Sequence, residues 1–133
     1  MGHRVLVAGA TGLVGGAIVR RLNDDGGFDV LTPTRRQVDL LNEQDVKRYL
    51  VRERPDTVIL AAALVGGIEA NRSHPVRFLV ENLRIQDHVM IASAEAGVKN
   101  LMFLGSSCIY PRDCAQPMHE SAFMSGPLEP TNE

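Results

Sequence analysis

Four short, unbroken apolar runs, separated by stretches of helical spacing, constrain the fold of this chain more than any other feature. The runs lie at residues 4–9, 28–34, 57–63 and 100–107. A strand that is buried on both faces of a sheet has this continuous apolar character. Because the segments between the runs read as helices, the chain is predicted to form an α/β fold, an open and mostly parallel sheet with helices on both faces.

The segments between the runs carry the start and stop signals of helices. The first helix follows a glycine-rich turn and ends at Gly26. The second starts at the cap Asn42 and ends before Pro55. The third covers about residues 75–96, and its spacing places apolar residues on one side. That side comprises Val76, Leu79, Val80, Leu83 and Met90.

Composition excludes several classes of function. The 133 residues fit one domain, and the net charge of −2 leaves no basic excess to bind nucleic acid or an anionic membrane. No apolar run approaches the roughly 18 residues of a membrane span, and the N-terminus does not read as a signal peptide. Cys108 and Cys114 are the only cysteines, and no zinc-binding spacing occurs. We therefore expect no metal and a reduced, cytoplasmic setting.

The turn between the first strand and the first helix is rich in glycine. Its sequence is GATGLVG, with Gly9, Gly12 and Gly15 at GxxGxxG spacing. Glycines let a pyrophosphate approach the main chain, and a helix N-terminus offers unpaired N–H groups to it. In the first βα unit this pattern predicts dinucleotide binding in a Rossmann-type fold, and the GxxGxxG spacing is typical of short-chain dehydrogenases. The alternative is a tight turn without a ligand.

The residues after the second strand indicate which dinucleotide binds. An NAD enzyme usually places an acidic residue there, whereas this chain has Thr34-Arg35-Arg36. Guanidinium groups suit the 2′-phosphate of NADP(H), which is the predicted cofactor. The two arginines could instead be solvated loop residues. Asp39, followed by Leu40, could bind the adenine amino group or simply begin the turn before the next helix.

The third and fourth strands end in small and polar residues. The third ends in three alanines, which leave room for a cofactor, and a glycine-rich loop at 64–71 follows. The fourth ends in Ser106-Ser107-Cys108, beside the expected position of the nicotinamide. A serine hydroxyl can donate a hydrogen bond to a carbonyl that is being reduced, and a cysteine can transfer a proton. Alternatively, the serines cap the backbone and Cys108 is a small buried apolar residue.

Three segments together resemble the GDP-L-fucose synthase family of extended short-chain dehydrogenases/reductases. They are LAAALVGGIEAN (60–71), FLGSSCIYP (103–111) and GPLEPTNE (126–133), and the resemblance extends over nearly all of the chain. It implies an NADP(H)-dependent enzyme that epimerises a GDP-4-keto-6-deoxy-mannose at the two carbons beside the ketone and then reduces the ketone, giving GDP-L-fucose. It also assigns roles by position.

The candidate site residues fall into three groups. Catalytic roles are expected for Ser106 and Cys108. Cofactor binding is expected for Gly9, Thr11, Gly12, Leu13, Val14, Gly15, Arg35, Asp39, Leu40, Ala61, Ala62 and Ala63. Substrate binding is expected for Val65, Gly66, Gly67 and Ser107.

The chain departs from the family pattern in two places. The turn GATGLVG lacks the histidine that the family commonly has after the first glycine. The family also has a tyrosine followed four residues later by a lysine, and Tyr110 is not followed by a lysine at that position. We therefore expect the cofactor-binding N-terminal portion of such an enzyme, inactive alone. The alternatives are a non-catalytic dinucleotide-binding module, half of a split epimerase/dehydratase, or a relative that acts on another nucleotide sugar.

The predicted sheet has an open edge. An unpaired edge strand can pair with another chain, so we expect a homo-oligomer or self-association.

Overall fold

The computed structural model describes residues 2–132 and confirms the α/β fold. Its four-stranded parallel sheet has the order β2-β1-β3-β4. The strands are β1 (His3–Ala8), β2 (Phe28–Leu31), β3 (Thr57–Leu60) and β4 (Asn100–Phe103). The helices are α1 (Leu13–Asp25), α2 (Glu43–Glu53), α3 (Ile68–Ser73) and α4 (Pro75–Glu95). Single 3₁₀ turns follow β4 at Ser107–Ile109, Glu120–Ala122 and Pro130–Asn132.

Side chains of the two central strands alternate between two apolar cores. On one face, Val5 and Val7 of β1 pack with Ile59 of β3 against α1. On the other face, Leu6 and Ala8 pack with residues of β3, α2 and α4. Since successive side chains of a strand point to opposite faces, an unbroken apolar run fills both cores. The helices therefore lie on both faces, as predicted.

The strands are shorter at their carboxyl ends than the apolar runs predicted. We expected strands over 28–34, 57–63 and 100–107, and the ladders stop at Leu31, Leu60 and Phe103. The last bonds beyond the strands join the Ala61 amide to the Ala8 carbonyl and the Leu104 amide to the Leu60 carbonyl, at 2.9 and 3.2 Å. The small and polar residues that follow lie in loops beyond the sheet.

The buried side of α4 is not the side that the apolar spacing of the sequence marks. Its N-terminal apolar residues are exposed, Val76 by 72% and Leu79 by 61%, whereas the buried residues are Ile85, Val89, Ala92 and Ser93. The helix has 21 residues and is about 31 Å long, but the four-residue strands extend only about 13 Å. Only the C-terminal half of α4 can therefore pack on the sheet. The N-terminal half extends past the carboxyl ends of the strands.

Candidate dinucleotide-binding site

The glycine turn is packed too tightly for any other residue at two of its positions. Gly9 has φ = +89°, and a Cβ atom there would lie 2.6 Å from the Ala61 carbonyl oxygen. A Cβ atom on Gly15 would lie 2.2 Å from the Gly9 carbonyl oxygen. The turn therefore presses against both the exit of β3 and the first turn of α1, because neither glycine carries a side chain.

The N-terminus of α1 has no cap from the protein. The N-cap residue is Gly12, and a glycine has no side chain that could accept a hydrogen bond. The first turn also contains no acidic residue. In contrast, Asn42 caps α2 by accepting from the amides of Gln44 and Asp45. Within residues 2–132, the first-turn amides of α1 (residues 13–15) thus remain available to an external anion, which the positive end of the helix dipole also favours.

The loop after β2 presents two arginines without ionic partners. Arg35 and Arg36 are exposed, and neither forms an ion pair with any other residue in the described part of the chain. A short turn holds the loop, in which the Thr34 amide and hydroxyl both donate to the Gln37 side-chain oxygen at 2.9 Å. The guanidinium groups are therefore available for an anionic group at this end of the site.

Asp39 begins the turn before α2. Its Oδ1 accepts a hydrogen bond from the Leu41 amide at 3.1 Å, and its carbonyl accepts from the Asn42 amide at 2.9 Å. This contact supports the turn interpretation, one of the two readings of this residue. Leu40 packs against the core, and its carbonyl accepts a hydrogen bond from Nδ1 of His88 on α4 at 3.0 Å.

The loop after β3 is fixed by side chains of the neighbouring helices. Asn82 of α4 accepts from the Leu64 amide at 2.7 Å and donates to the Leu64 carbonyl at 3.0 Å. Asn71 of α3 donates to the carbonyls of Gly66 and Gly67 at 3.1 and 3.0 Å. A Cβ atom on Gly66 would lie 2.9 Å from the ring of Phe78. Val65 is 81% exposed at the tip of this fixed loop.

The end of β4 places the serine and cysteine side chains on the surface. Ser106 is the N-cap of the 3₁₀ turn, and its hydroxyl oxygen accepts from the Cys108 amide at 3.2 Å. This contact confirms the capping alternative for Ser106, but it leaves the hydroxyl proton free to donate. Cys108 is exposed and not buried, so the alternative that it is a small core residue is wrong. Ser107 is exposed beside it.

All of the predicted site residues follow the carboxyl ends of parallel strands, so they lie on the same side of the molecule, at the carboxyl ends of the strands. Open α/β sheets bind ligands at these carboxyl ends, near the point where the strand order reverses. In this sheet that point lies between β1 and β3. Sequence reasoning missed Asn82 and His88, which reach these carboxyl ends from α4. Polar residues on a helix ordinarily read as solvated, and no sequence signal marked these two.

The amino ends of the strands carry an ionic cluster with a structural role. The Asp56 carboxylate accepts from Nζ of Lys99 at 2.9 Å and from the Arg4 amide at 3.0 Å. The hydrogen bond from Lys99, followed by that from the Arg4 amide, lowers the pKa of Asp56 below its ordinary value. This cluster joins the start of β3 to the starts of β1 and β4, away from the candidate site.

Residues 2–132 contain no group of three metal-binding side chains, and none of their helices has the length and apolar character of a membrane span.

The parallel sheet, the uncapped helix tip and the close-packed glycines together define a Rossmann-like α/β fold. The chain belongs to the NAD dependent epimerase/dehydratase family, whose model matches residues 5–133.

Three known proteins illustrate the similarity. The chain is 51% identical over 130 residues to a protein named putative GDP-L-fucose synthase 2 of Arabidopsis thaliana, covering 98% of this chain and 40% of that protein. It is 45% identical over 131 residues to the GDP-L-fucose synthase of Escherichia coli, covering 98% and 41%. Its structure resembles a GDP-mannoheptose C4 reductase from Campylobacter jejuni with NADP bound, at a TM-score of 0.86 and 34% identity over 98% of this chain and 38% of that one. The chain thus spans about 40% of the length of these relatives.

Proposed function

We propose that this chain is the NADP(H)-binding portion of a GDP-L-fucose synthase, with residues 1–133 forming its dinucleotide-binding domain. The observation that carries the proposal is the open N-terminus of α1 beside Gly9 and Gly15, where a bound diphosphate would accept from main-chain amides that the protein leaves without partners. Relatives named GDP-L-fucose synthase at 45–51% identity support the choice of enzyme.

The preference for NADP(H) over NAD(H) rests on the loop after β2. Arg35 and Arg36 carry positive charges that no carboxylate of the described chain neutralises, and a 2′-phosphate would provide the missing anion. An acidic residue that would bind the ribose hydroxyl of NAD is absent from this stretch of sequence. A solved relative with NADP bound supports the same preference.

Ser106 and Cys108 supply the polar groups of the proposed reaction. The Ser106 oxygen is oriented by the Cys108 amide, so its proton can be donated to the oxygen of a substrate ketone. A carbon beside a ketone is acidic because its carbanion delocalises onto that oxygen. We assign the exchange of that proton to the Cys108 thiol, which is exposed. NADPH would supply the hydride for the reduction of the ketone.

The loop after β3 and Ser107 form the proposed contact with the GDP-sugar. Val65 projects from a loop whose backbone is held by α3 and α4, so a substrate would meet a preformed wall. We further propose that the chain self-associates, because Met102 and Phe103 of the edge strand β4 are 54% and 46% exposed.

A cofactor titration tests this proposal. We expect the purified chain to bind NADPH more tightly than NADH, and we expect Arg35→Ala or Arg36→Ala to weaken NADPH binding roughly 10- to 100-fold, the effect of a lost hydrogen bond to a charged group. NADH binding should change little. Arg21→Ala is the matched control, since Arg21 pairs with Asp25 at the far end of α1. A preference for NADH would contradict the proposal.

A non-catalytic dinucleotide-binding module, or half of a split enzyme, is the second candidate. Residues 1–133 contain two tyrosines, and neither is followed four residues later by a lysine: Glu53 follows Tyr49 at that distance, and Cys114 follows Tyr110. We expect residues 1–133 alone to bind NADPH without forming GDP-L-fucose. Measurable GDP-L-fucose formation by this chain would exclude the second candidate.

A further inference from the structure

We infer that Asn82 and His88 are positioning residues through which the single helix α4 sets the spacing between the two walls of the cofactor cleft. This inference rests on the proposed function. One residue fixes the backbone after β3 and the other fixes the backbone after β2.

Asn82 makes the more complete of the two contacts. Its side-chain amide pairs with both the N–H and the C=O of Leu64, at 2.7 and 3.0 Å, in the way that one strand pairs with another. Leu64 follows the three alanines, and Ala61 lies against Gly9 of the glycine turn. We expect a shift of Leu64 to move the alanines before it, and with them the space that is left for a cofactor between β1 and β3.

His88 makes the corresponding contact on the other side. Its Nδ1 lies 3.0 Å from the Leu40 carbonyl, so the ring must carry its proton on Nδ1 to donate this bond. Leu40 lies a few residues after Arg35 and Arg36, on the side of the proposed 2′-phosphate. A shift of Leu40 would therefore move the loop after β2, which forms the wall of the cleft on the side of the adenine.

Both contacts originate from one rigid element. Asn82 and His88 are six positions apart on α4, whose C-terminal half is anchored by Val89 in the core, 2% exposed. The two walls are otherwise loops beyond the ends of the strands. A helix that bonds to the backbone of both loops holds them at a fixed separation, which reduces the ordering cost of binding a long, flexible dinucleotide.

Two ligands distinguish the two walls. Adenosine 2′,5′-bisphosphate occupies only the adenine side, whereas NADPH reaches both sides. We expect Asn82→Leu, which removes both hydrogen bonds, to raise the Kd for NADPH about tenfold and to leave that for the bisphosphate unchanged. We expect His88→Leu to raise both, and His88→Asn to restore both, because an asparagine Nδ2 occupies the place of the histidine Nδ1.

Amide hydrogen exchange tests the contact itself, independently of any ligand. The Leu64 amide should exchange about tenfold faster in Asn82→Leu than in the wild type, while the Val7 amide of the core keeps its protection. Gln86→Leu is the matched control on the same helix and should change neither quantity. If Asn82→Leu does not fold, Asn82→Asp, which keeps the shape and the acceptor, should still weaken NADPH binding selectively.

The outcomes separate the inference from the function on which it rests. Unchanged exchange at Leu64, or accelerated exchange with unchanged NADPH affinity, would overturn the positioning role of Asn82. Equal loss of bisphosphate binding in the variants of both residues would also overturn it, since the two walls would then not be independent. A wild-type chain that binds neither ligand would overturn the proposed function, and the exchange rate of Leu64 would still decide whether Asn82 fixes the loop.

Discussion

Replacing Gly15 by alanine tests the packing of the glycine turn against an internal control. Gly15 and Gly16 are adjacent residues of the same helix, α1. Alanine at either position gains helix propensity of about 0.5–1 kcal/mol, because alanine loses less backbone entropy than glycine. The two positions differ in what the added methyl group would meet.

The magnitude follows from the distances. A Cβ atom on Gly15 would lie 2.2 Å from the Gly9 carbonyl oxygen, more than 1 Å inside the 3.4–4 Å of ordinary contact. The Gly9 carbonyl belongs to the main chain, and the new Cβ atom is attached directly to the main chain of α1. Neither can rotate away, so α1 must move away from the turn, at an overpacking cost of about 1–3 kcal/mol. A Cβ atom on Gly16 would lie 3.3 Å from the Ala10 carbonyl oxygen, which needs an adjustment of only a few tenths of an ångström.

Urea unfolding and NADPH titration measure the two consequences. We expect Gly15→Ala to lose about 1–2 kcal/mol, which lowers the urea midpoint by roughly 0.5–1 M, and to bind NADPH at least about tenfold more weakly because the amides of α1 are displaced. Gly16→Ala should be as stable as the wild type or about 0.5–1 kcal/mol more stable. Equal stability and equal NADPH affinity of the two variants would refute the packing argument.

Three further predictions concern stability. Asp56→Asn should be less stable than the wild type at pH 7. The difference in free energy of unfolding should shrink as the pH falls through the lowered pKa of Asp56, because protonation removes the charge that the Lys99 contact stabilises. Urea unfolding at several pH values measures this difference, and a constant value would contradict the role of the Lys99 contact. Ser93→Ala should be neutral or raise the free energy of unfolding by up to about 1 kcal/mol, since the buried Ser93 hydroxyl has no partner within the described residues; a clear loss of stability would show that it has one. Val89→Ala should cost about 2–3 kcal/mol in chemical denaturation and Val76→Ala less than about 0.5, the reverse of what the sequence pattern of α4 indicated.

The strand positions and the glycine turn could be predicted from sequence because their signals are local. An apolar run such as TVIL indicates a strand that is buried on both faces. A glycine at position 9 or 15 indicates a backbone that leaves no room for a side chain. The cap at Asn42 is equally local, and the structure confirms it. The sequence signal of each feature lies within a few residues, even where the contact does not, as with Gly9 against Ala61.

The ends of the strands and the buried side of α4 depend on contacts that the sequence does not display. Ala61 continues the apolar run of Leu60, yet the pairing of β3 with both neighbouring strands ends at Leu60. The period of α4 is regular from Val76 onward, but the sheet is too short to cover its first half. Helical spacing predicts which residues share a face and does not predict whether anything lies opposite that face.

The roles of Asn82 and His88 were also beyond local reasoning. Each bonds to a backbone group far away in sequence, at separations of 18 and 48 residues. Such contacts become visible only when the parallel sheet has brought the loops after β2 and β3 to the same side of the molecule. Composition and spacing carry no trace of them.

We propose that the open tip of α1 receives the diphosphate of NADPH while the tail of β4 lies beside its nicotinamide. An ¹H–¹⁵N chemical-shift titration with NADPH tests it directly, one amide at a time. The amides of residues 13–15 should shift most, together with those of residues 105–108. Shifts confined to the surface of the N-terminal half of α4, between His74 and Arg84, would contradict it.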